Sequence, residues 1–471
     1  MAALPGQAGA AGTPRPYAFA EGAETVEGAP TNVAGRLLRA GKTYKSTLPR
    51  AGRHFYRLEL TALENAYVSA TAVPKPGTRL SYADGVEVSI QDADGNNCSP
   101  LEAEKARFGS SGSARPITAS AVRRAGPDEK SCRSAGTYYV LVEHTRASGP
   151  GAQEDWDLEL HVASEPVLRD RGGTTAPEAW DSAVPVPPSG QRRARAGGTS
   201  FNEARGLRDG VWGAGIEPGD TLFYRVPVDW GQRLSVAAEL GSTSEGAASG
   251  GAENGGAASR GLSSGGVSSG GAASGGSAGA GGGVGRGTAR GSGYVSSALV
   301  MSLYNPVRAE VDDADTSYDG RQKSMALDAL PPVAHENRFS PTDEMSAMRF
   351  AGWYYVSVHL NPAVAEKFGD GPLELTLRVG VAGSPRPGPV YAGSPRPADD
   401  FGVSERDTEA AERGETAPGS GGGDGSGGGS DDQVMAVVAA GGIGSGVVLL
   451  GILGVWTLVA RRRAAAAPRR I

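Results

Sequence analysis

The chain reads as an all-β ectodomain, built from two tandem antiparallel β-sandwich (jelly-roll-like) domains and followed by one C-terminal transmembrane helix. Three observations predict this. Short segments that alternate apolar and polar residues occur twice in the same order, with the period of a half-buried strand. Sustained helical periodicity is scarce, and the 73 glycines and 31 prolines supply turn residues in number. An uncharged run, Val434 to Ala460, lies close to the C-terminal end. A length of 471 residues fits two or more domains.

Residues 1–34 form an N-terminal extension. Residues 1–20 lack the basic start and apolar core of a signal peptide. Thr13 to Ala20 reads like the beginning of a mature protein, so the expectation is that the assigned start lies too far downstream or that the chain was trimmed.

The first sandwich is expected over 35–166 and the second over 206–382. His54-Phe55-Tyr56-Arg57-Leu58-Glu59-Leu60 leads to Tyr67–Val73, as Leu222-Phe223-Tyr224-Arg225-Val226-Pro227-Val228 leads to Leu234–Ala238. A glycine turn stands upstream of each, at Gly41 and at Gly219. Val86–Ile90 corresponds to Ala298–Tyr304. Ala135-Gly136-Thr137-Tyr138-Tyr139-Val140 corresponds to Ala351-Gly352-Trp353-Tyr354-Tyr355-Val356. The closing strands are Trp156–Val162 and Leu373–Val379. From Phe55 to Tyr138 is 83 positions and from Phe223 to Tyr354 is 131, a difference of 48. The Gly/Ser/Ala tract 242–293 accounts for nearly all of it. Such a tract cannot bury apolar surface and is expected as a disordered loop, which closes at an entropic cost of roughly 2 kcal/mol over a tight turn.

Cys98 and Cys132 are the two cysteines. In an exported chain an even number reads as a disulfide; two free buried thiols are the other reading. Residues 167–205, with Pro185-Val186-Pro187-Pro188 and a basic cluster at Arg192, Arg193 and Arg195, read as a linker. Residues 383–433 read as a stalk: Ala382–Pro387 recurs as Ala392–Pro397, and prolines favour extended chain. The run 434–460 is long enough to span a bilayer at ~1.5 Å per residue. Arg461, Arg462 and Arg463 orient it, with the basic tail 461–471 in the cytoplasm and everything before Asp431 outside. Gly442 and Gly446 form a G-x-x-x-G face on which two spans could meet.

The strands opening on Phe55-Tyr56-Arg57 and Phe223-Tyr224-Arg225, with the Gly136 and Gly352 motifs before a closing strand, resemble the bacterial pre-peptidase C-terminal domain, a small jelly-roll-like sandwich. The resemblance covers roughly Gly35–Pro166 and Gly206–Val381. The whole arrangement is also similar to single-pass actinobacterial surface proteins of unassigned function. It implies a fold and leaves function open.

Chemistry is sparse. The net charge of −6 argues against a nucleic-acid partner. None of the five histidines sits in H-E-x-x-H, and no G-x-S-x-G elbow occurs. His144 and His359 form the most interesting pair, since each ends the same strand of its copy, and His161 has polar-face phase; solvated or turn roles are expected for all three. Asp92, Asp94 and Asn96 resemble the opening of a calcium loop, but Asp-Gly-Asn is also hairpin chemistry. Asp312, Asp313, Asp315 and Asp319 form a second acidic loop. Tyr56, Tyr138, Tyr139, Tyr224, Trp230, Trp353, Tyr354 and Tyr355 are either core or a carbohydrate platform. No catalytic residue and no cofactor is expected. The expected role is a non-catalytic binding or scaffold protein of the cell envelope, on the cell membrane, engaging a protein partner or wall polymer. A carbohydrate-binding module is the alternative and an envelope hydrolase a more distant one.

Overall fold

Alternation of apolar and polar residues becomes two stacked pairs of sheets. In this computed structural model the described residues are 14–243 and 293–416, apart from 51, 79, 99–103, 126–130, 146–153, 171 and 178; they fall within one compact unit. The span 434–460, the tail 461–471, Gly442, Gly446 and nearly all of the Gly/Ser tract lie outside them. Among the described residues no helix is long and apolar enough to cross a membrane.

Among the described residues each copy contributes ten strands. The first holds β1 (Glu24–Thr25), β2 (Arg36–Leu37), β3 (Lys42–Leu48), β4 (Arg53–Leu60), β5 (Glu64–Val73), β6 (Gly85–Gln91), β7 (Lys105–Arg107), β8 (Ile117–Arg123), β9 (Gly136–Thr145) and β10 (Trp156–Pro166). The second holds β11 (Arg192–Ala194), β12 (Arg205–Gly206), β13 (Gly210–Ile216), β14 (Thr221–Val228), β15 (Arg233–Leu240), β16 (Val295–Tyr304), β17 (Glu310–Tyr318), β18 (Lys323–Ala326), β19 (Gly352–Leu360) and β20 (Leu373–Ala382). The sheets of copy one run β1-β3-β10-β5-β8 and β2-β4-β9-β6-β7. Those of copy two run β11-β13-β20-β15-β18 and β12-β14-β19-β16-β17, the same order shifted by ten. Without its first member each sheet is antiparallel, and the two four-stranded sets follow jelly-roll order. The first strand of each sheet pairs in parallel, as β1 does with β3 and β11 with β13. Among the described residues the three α-helices are short: α1 (Asp343–Ala347), α2 (Ala363–Phe368) and α3 (Glu405–Arg413).

Inward residues of each sheet pair form one core. In copy one Tyr56, Leu58, Val68, Val88, Val140, Leu158 and Leu160 meet in it; in copy two Tyr224, Val226, Val236, Met301, Val356, Leu375 and Leu377 do so. The motif residues have physical roles. The first tyrosine of each Tyr-Tyr pair buries its ring in the core and donates its hydroxyl to a carbonyl four residues upstream, Tyr138 to Ser134 at 2.7 Å and Tyr354 to Phe350 at 2.8 Å. This satisfies the only polar atom of a buried ring side chain. The preceding Gly352 has φ +149° and sits where a Cβ would come within 2.9 Å of Pro306 and 3.0 Å of the Asp400 carbonyl, so a side chain is barred by backbone and by space.

Several expectations are corrected. Gly41 precedes β3 whereas Gly219 precedes β14, so the two glycine turns are not counterparts. The counterpart of β3 in the second copy is β13, whose Gly210, Gly213 and Gly215 hide its strand character. Residues 14–34 are part of the fold, with Tyr17, Ala20 and Val26 buried. The basic part of the linker is β11, paired with β13; Arg193 and Arg195 lie over the Trp212 ring at 4.0 and 4.8 Å. The stalk reading also fails for 383–416. Ser164 pairs with Arg396 and Leu168 with Tyr391 across β-bridges. Helix α3 begins with a Ser404–Asp407 capping box and lays Ala411 so close to Gly206 that a Cβ there would meet its Cα at 2.7 Å.

Cys98 and Cys132 form a disulfide across a separation of 34 residues. Beside it buried Arg123 donates to the carbonyls of Cys132, Thr61, Glu64 and Ser134. Replacing both cysteines by serine is expected to lower unfolding stability by about 3–4 kcal/mol on the chain-entropy estimate, read as a shift of the denaturant midpoint. An unmoved midpoint would mean that packing alone holds this loop.

Candidate functional site between the two sandwiches

Strand β10 has two buried faces. Leu158, Leu160 and Val162 point into the core of its own sandwich. By the strand's period of two, Glu159, His161, Ala163 and Glu165 point the other way, yet their exposures are 0, 4, 0 and 0%. The sequence gives this face solvent phase. The second sandwich, the segment 14–20 and the segment 391–401 cover it instead.

A buried carboxylate is tolerable only when paired and hydrogen-bonded, and both glutamates meet that condition. Glu159 accepts from Arg308 Nη1 at 2.6 Å, Tyr17 Oη at 2.9 Å, Asn202 Nδ2 at 2.8 Å and the Ala20 amide at 3.3 Å. Arg308 comes from the β16–β17 turn of the other sandwich, with φ 61°. That left-handed backbone costs about 1–2 kcal/mol for a non-glycine residue and is held by the ion pair and by stacking on Phe201 at 4.8 Å. Glu165 accepts from Arg338 Nη2 at 2.8 Å and Nη1 at 3.0 Å, from Asn65 Nδ2 and Tyr67 Oη at 2.8 Å, and from Tyr391 Oη at 2.9 Å. Burial by itself would raise the Glu165 carboxyl; the Arg338 charge and the hydrogen bonds from Arg338, Tyr67 and Asn65 overcome it and hold the pKa at about 2. Between the two glutamates, His161 meets Thr43 Oγ1 at 3.1 Å and Asp400 Oδ2 at 2.9 Å.

Histidine 359 also spans the seam. Its Nε2 lies 2.5 Å from Ser113 Oγ of the first sandwich and its Nδ1 3.0 Å from Thr221 Oγ1 of its own. Burial, then Arg115, lowers its pKa to about 3. The chain is hydroxyl, imidazole, hydroxyl; no carboxylate orients the ring, so the contact works as a clamp between sandwiches. His144 is elsewhere. Val142 and Val358 occupy equivalent positions, which makes Glu143 the counterpart of His359 and offsets His144 by one residue. A one-residue offset reverses the face, and His144 packs on Trp156 in its own sandwich, ring centroids 4.1 Å apart.

Beside His359 a small cavity is lined by Arg115, Thr118, Ser302, Tyr304, Glu310 and Ser357 among others. Burial, then Asp313, raises Glu310 to about 7. Asp312, Asp313 and Asp315 lie on strand β17, not in a loop, and burial leads the upward shift of Asp312 and Asp313.

The other expected site residues separate. The Asp92 carboxylate caps its own turn, accepting from the amides of Asp94 and Asn96 at 3.0 and 2.9 Å and from Asn96 Nδ2 at 3.0 Å. Among the described residues no group of three or more His, Cys, Asp or Glu side chains is placed to hold a metal ion. Of the eight aromatics, Tyr56, Tyr138, Tyr224 and Tyr354 are core. Tyr355 and Trp353 are the outward members of their strand, shielded by Tyr17, Phe201 and Ala411. Tyr139 is half-buried. Trp230 packs in the core of the second sandwich, at the border of an open cleft. Sequence reasoning missed the seam because Arg308, Arg338 and Asp400 have no fixed spacing from β10.

No family model matches the chain, and neither does any curated protein. Solved structures similar to it include the tandem CBM22 pair from Paenibacillus barcinonensis Xyn10C, at 9% identity over 73% of this chain and 88% of that one, TM-score 0.18. The tandem CBM51 modules of the family 98 glycoside hydrolase from Streptococcus pneumoniae are 9% identical over 73% and 84%, TM-score 0.17. The CUB1-EGF-CUB2 domains of human MASP-1/3 are 8% identical over 72% and 99%, TM-score 0.14. At these scores the likeness carries no inference about function.

Two outcomes are expected. Arg338→Met leaves the Glu165 carboxylate buried without its cation and should cost about 3–5 kcal/mol of stability in chemical denaturation. Because Glu165 is depressed from 4.5 to about 2, its contribution is full above pH 4.5 and is lost as pH falls from 4.5 through 2; in Arg338→Met that acid-limb slope should shrink. Glu310 has the opposite sign. Raised from 4.5 to about 7, it favours the fold below pH 4.5 and penalises it as pH rises through 7. Glu310→Gln should therefore raise the melting temperature at pH 8 relative to wild type and leave it nearly unchanged at pH 5.

Proposed function

We propose that the chain is a non-catalytic binding or scaffold protein of a bacterial cell envelope, anchored by the apolar run 434–460 with its sandwiches outside the membrane, and that it engages a protein partner or a wall polymer. The observation that carries this reading is the seam. Glu159, Glu165 and His359, buried ionisable groups of the kind a catalytic site would use, are taken up in joining one sandwich to the other, and His161 ties the first sandwich to the segment 391–401. A double sandwich joined in this way is suited to presenting fixed surfaces. The disulfide supports an oxidising compartment, and the arginines after the apolar run support the orientation. We read the two copies as repeats of the pre-peptidase C-terminal type on the motifs of β4, β9, β14 and β19.

Protease added to intact cells should degrade the sandwiches while the same cells keep a cytoplasmic marker whole. Protection until lysis would place them inside and end this reading. The chain immobilised on beads should then retain either one envelope protein or purified wall material.

A further inference from the structure

Arg349 is a buried cation without a counter-charge. It follows α1 in the second sandwich and is 5% exposed. Its guanidinium lies over the Phe350 ring at 4.9 Å and over the Tyr67 ring of the first sandwich at 5.5 Å. Among the described residues it makes a single hydrogen bond, from Nη1 to the Ser346 carbonyl at 3.0 Å, and no ion pair. Other buried arginines differ. Arg338 and Arg308 meet Glu165 and Glu159, and Arg123 donates to four carbonyls. Buried cations are ordinarily paired or fully hydrogen-bonded. Burial holds the Arg349 pKa below the usual guanidinium range, and the charges of Arg338 and Arg124 press the same way. A guanidinium nonetheless stays charged in a protein.

The unused N–H groups are not sealed off. The polar atoms enclosed without a partner include none from Arg349, and the side chain lines a small cavity on the seam. Across that cavity stands Ser120, on the outward face of β8 in the first sandwich. Its hydroxyl makes no hydrogen bond among the described residues and is likewise not enclosed. The cavity has room for little more than a water-sized group.

We propose that this cavity binds a chloride-sized monovalent anion, held as the counter-ion of Arg349 between the two sandwiches. Guanidinium N–H groups only donate, and a hydroxyl can do so as well. A water in the same place would accept from them but leave the charge unmatched, and a phosphate or a partner's carboxylate needs more room. Two carboxylates border the cavity. Asp343 is exposed, so solvent screens it. Glu310, raised to about 7 by burial and then by Asp313, is mostly uncharged below that pH. Arg115, Lys105 and Arg107 approach Glu310 from the first sandwich; Asp312 and Asp313 on β17, Tyr304 on β16 and His359 on β19 do so from its own. Once ionised, Glu310 places a fixed negative charge beside the anion and competes with it. The inference does not depend on the function proposed above.

The test is thermal unfolding of the whole chain, kept in detergent micelles, in sodium chloride and in sodium gluconate at equal ionic strength; gluconate is too large for the cavity. At pH 6 the melting temperature should climb by about 2 °C or more as chloride replaces gluconate between roughly 10 and 500 mM. Arg349→Met should abolish that rise. At pH 8 the rise should shrink in the wild type and persist in Glu310→Gln. Crystals grown in bromide should show its anomalous peak between Arg349 and Ser120. Equal melting temperatures in the two salts at pH 6, an undiminished rise in Arg349→Met, or no bromide peak at Arg349 would each overturn the proposal. If Arg349→Met does not fold, the bromide peak decides. A rise in the wild type at pH 8 as large as at pH 6 would overturn the competition assigned to Glu310.

Discussion

Two carboxylates with no access to water organise this molecule. Glu159 and Glu165 stand on the outward face of β10, and each must be neutralised by a cation from a different part of the chain. Separation of the sandwiches would return the charges to water at the loss of the pairs. Partial slippage would leave a charge dry and alone, which is the costlier state. The constraint therefore acts against intermediate placements, and fixes one arrangement of the sandwiches more than it adds to stability.

The duplication makes that point by contrast. In β20, Thr376 and Arg378 stand where β10 has Glu159 and His161. There Arg378 pairs with Glu239 at 2.6 Å while both side chains stay about a quarter exposed, and Arg192 pairs with Glu374 at the surface. Exposed pairs of this kind contribute little. The same strand order and the same alternation thus produce an interface in one copy and an ordinary solvated face in the other. Divergence acted on what covers the strands and left their topology intact.

Covering is done by segments of weak secondary-structure signal. Residues 14–20 and 391–416 cross the seam and place Tyr17, Tyr391, Asp400 and Phe401 against it. They form few ladder bonds and are held by side chains and isolated bridges. Proline and polarity in such segments mean only that they form no regular element. They give no sign that the segment stands free, which is why the stretch after residue 383 reads as a stalk until its contacts are seen.

Alternation of period two, the tyrosines before the closing strands and the even cysteine count are local properties, and residues a few positions apart suffice to read them. They determined the all-β class, the twofold repetition, five strands of each copy and the cysteine pairing. Strands rich in glycine or in acidic residues, β13 and β17 above all, escaped because packing on neighbours, not propensity, makes them strands. Which outward face is buried, which cation meets Glu165, and why His359 bridges two sandwiches while His144 serves one were decided only by tertiary structure. The partners lie up to 246 residues apart, and no local pattern encodes a pairing that exists only once two separately formed surfaces meet.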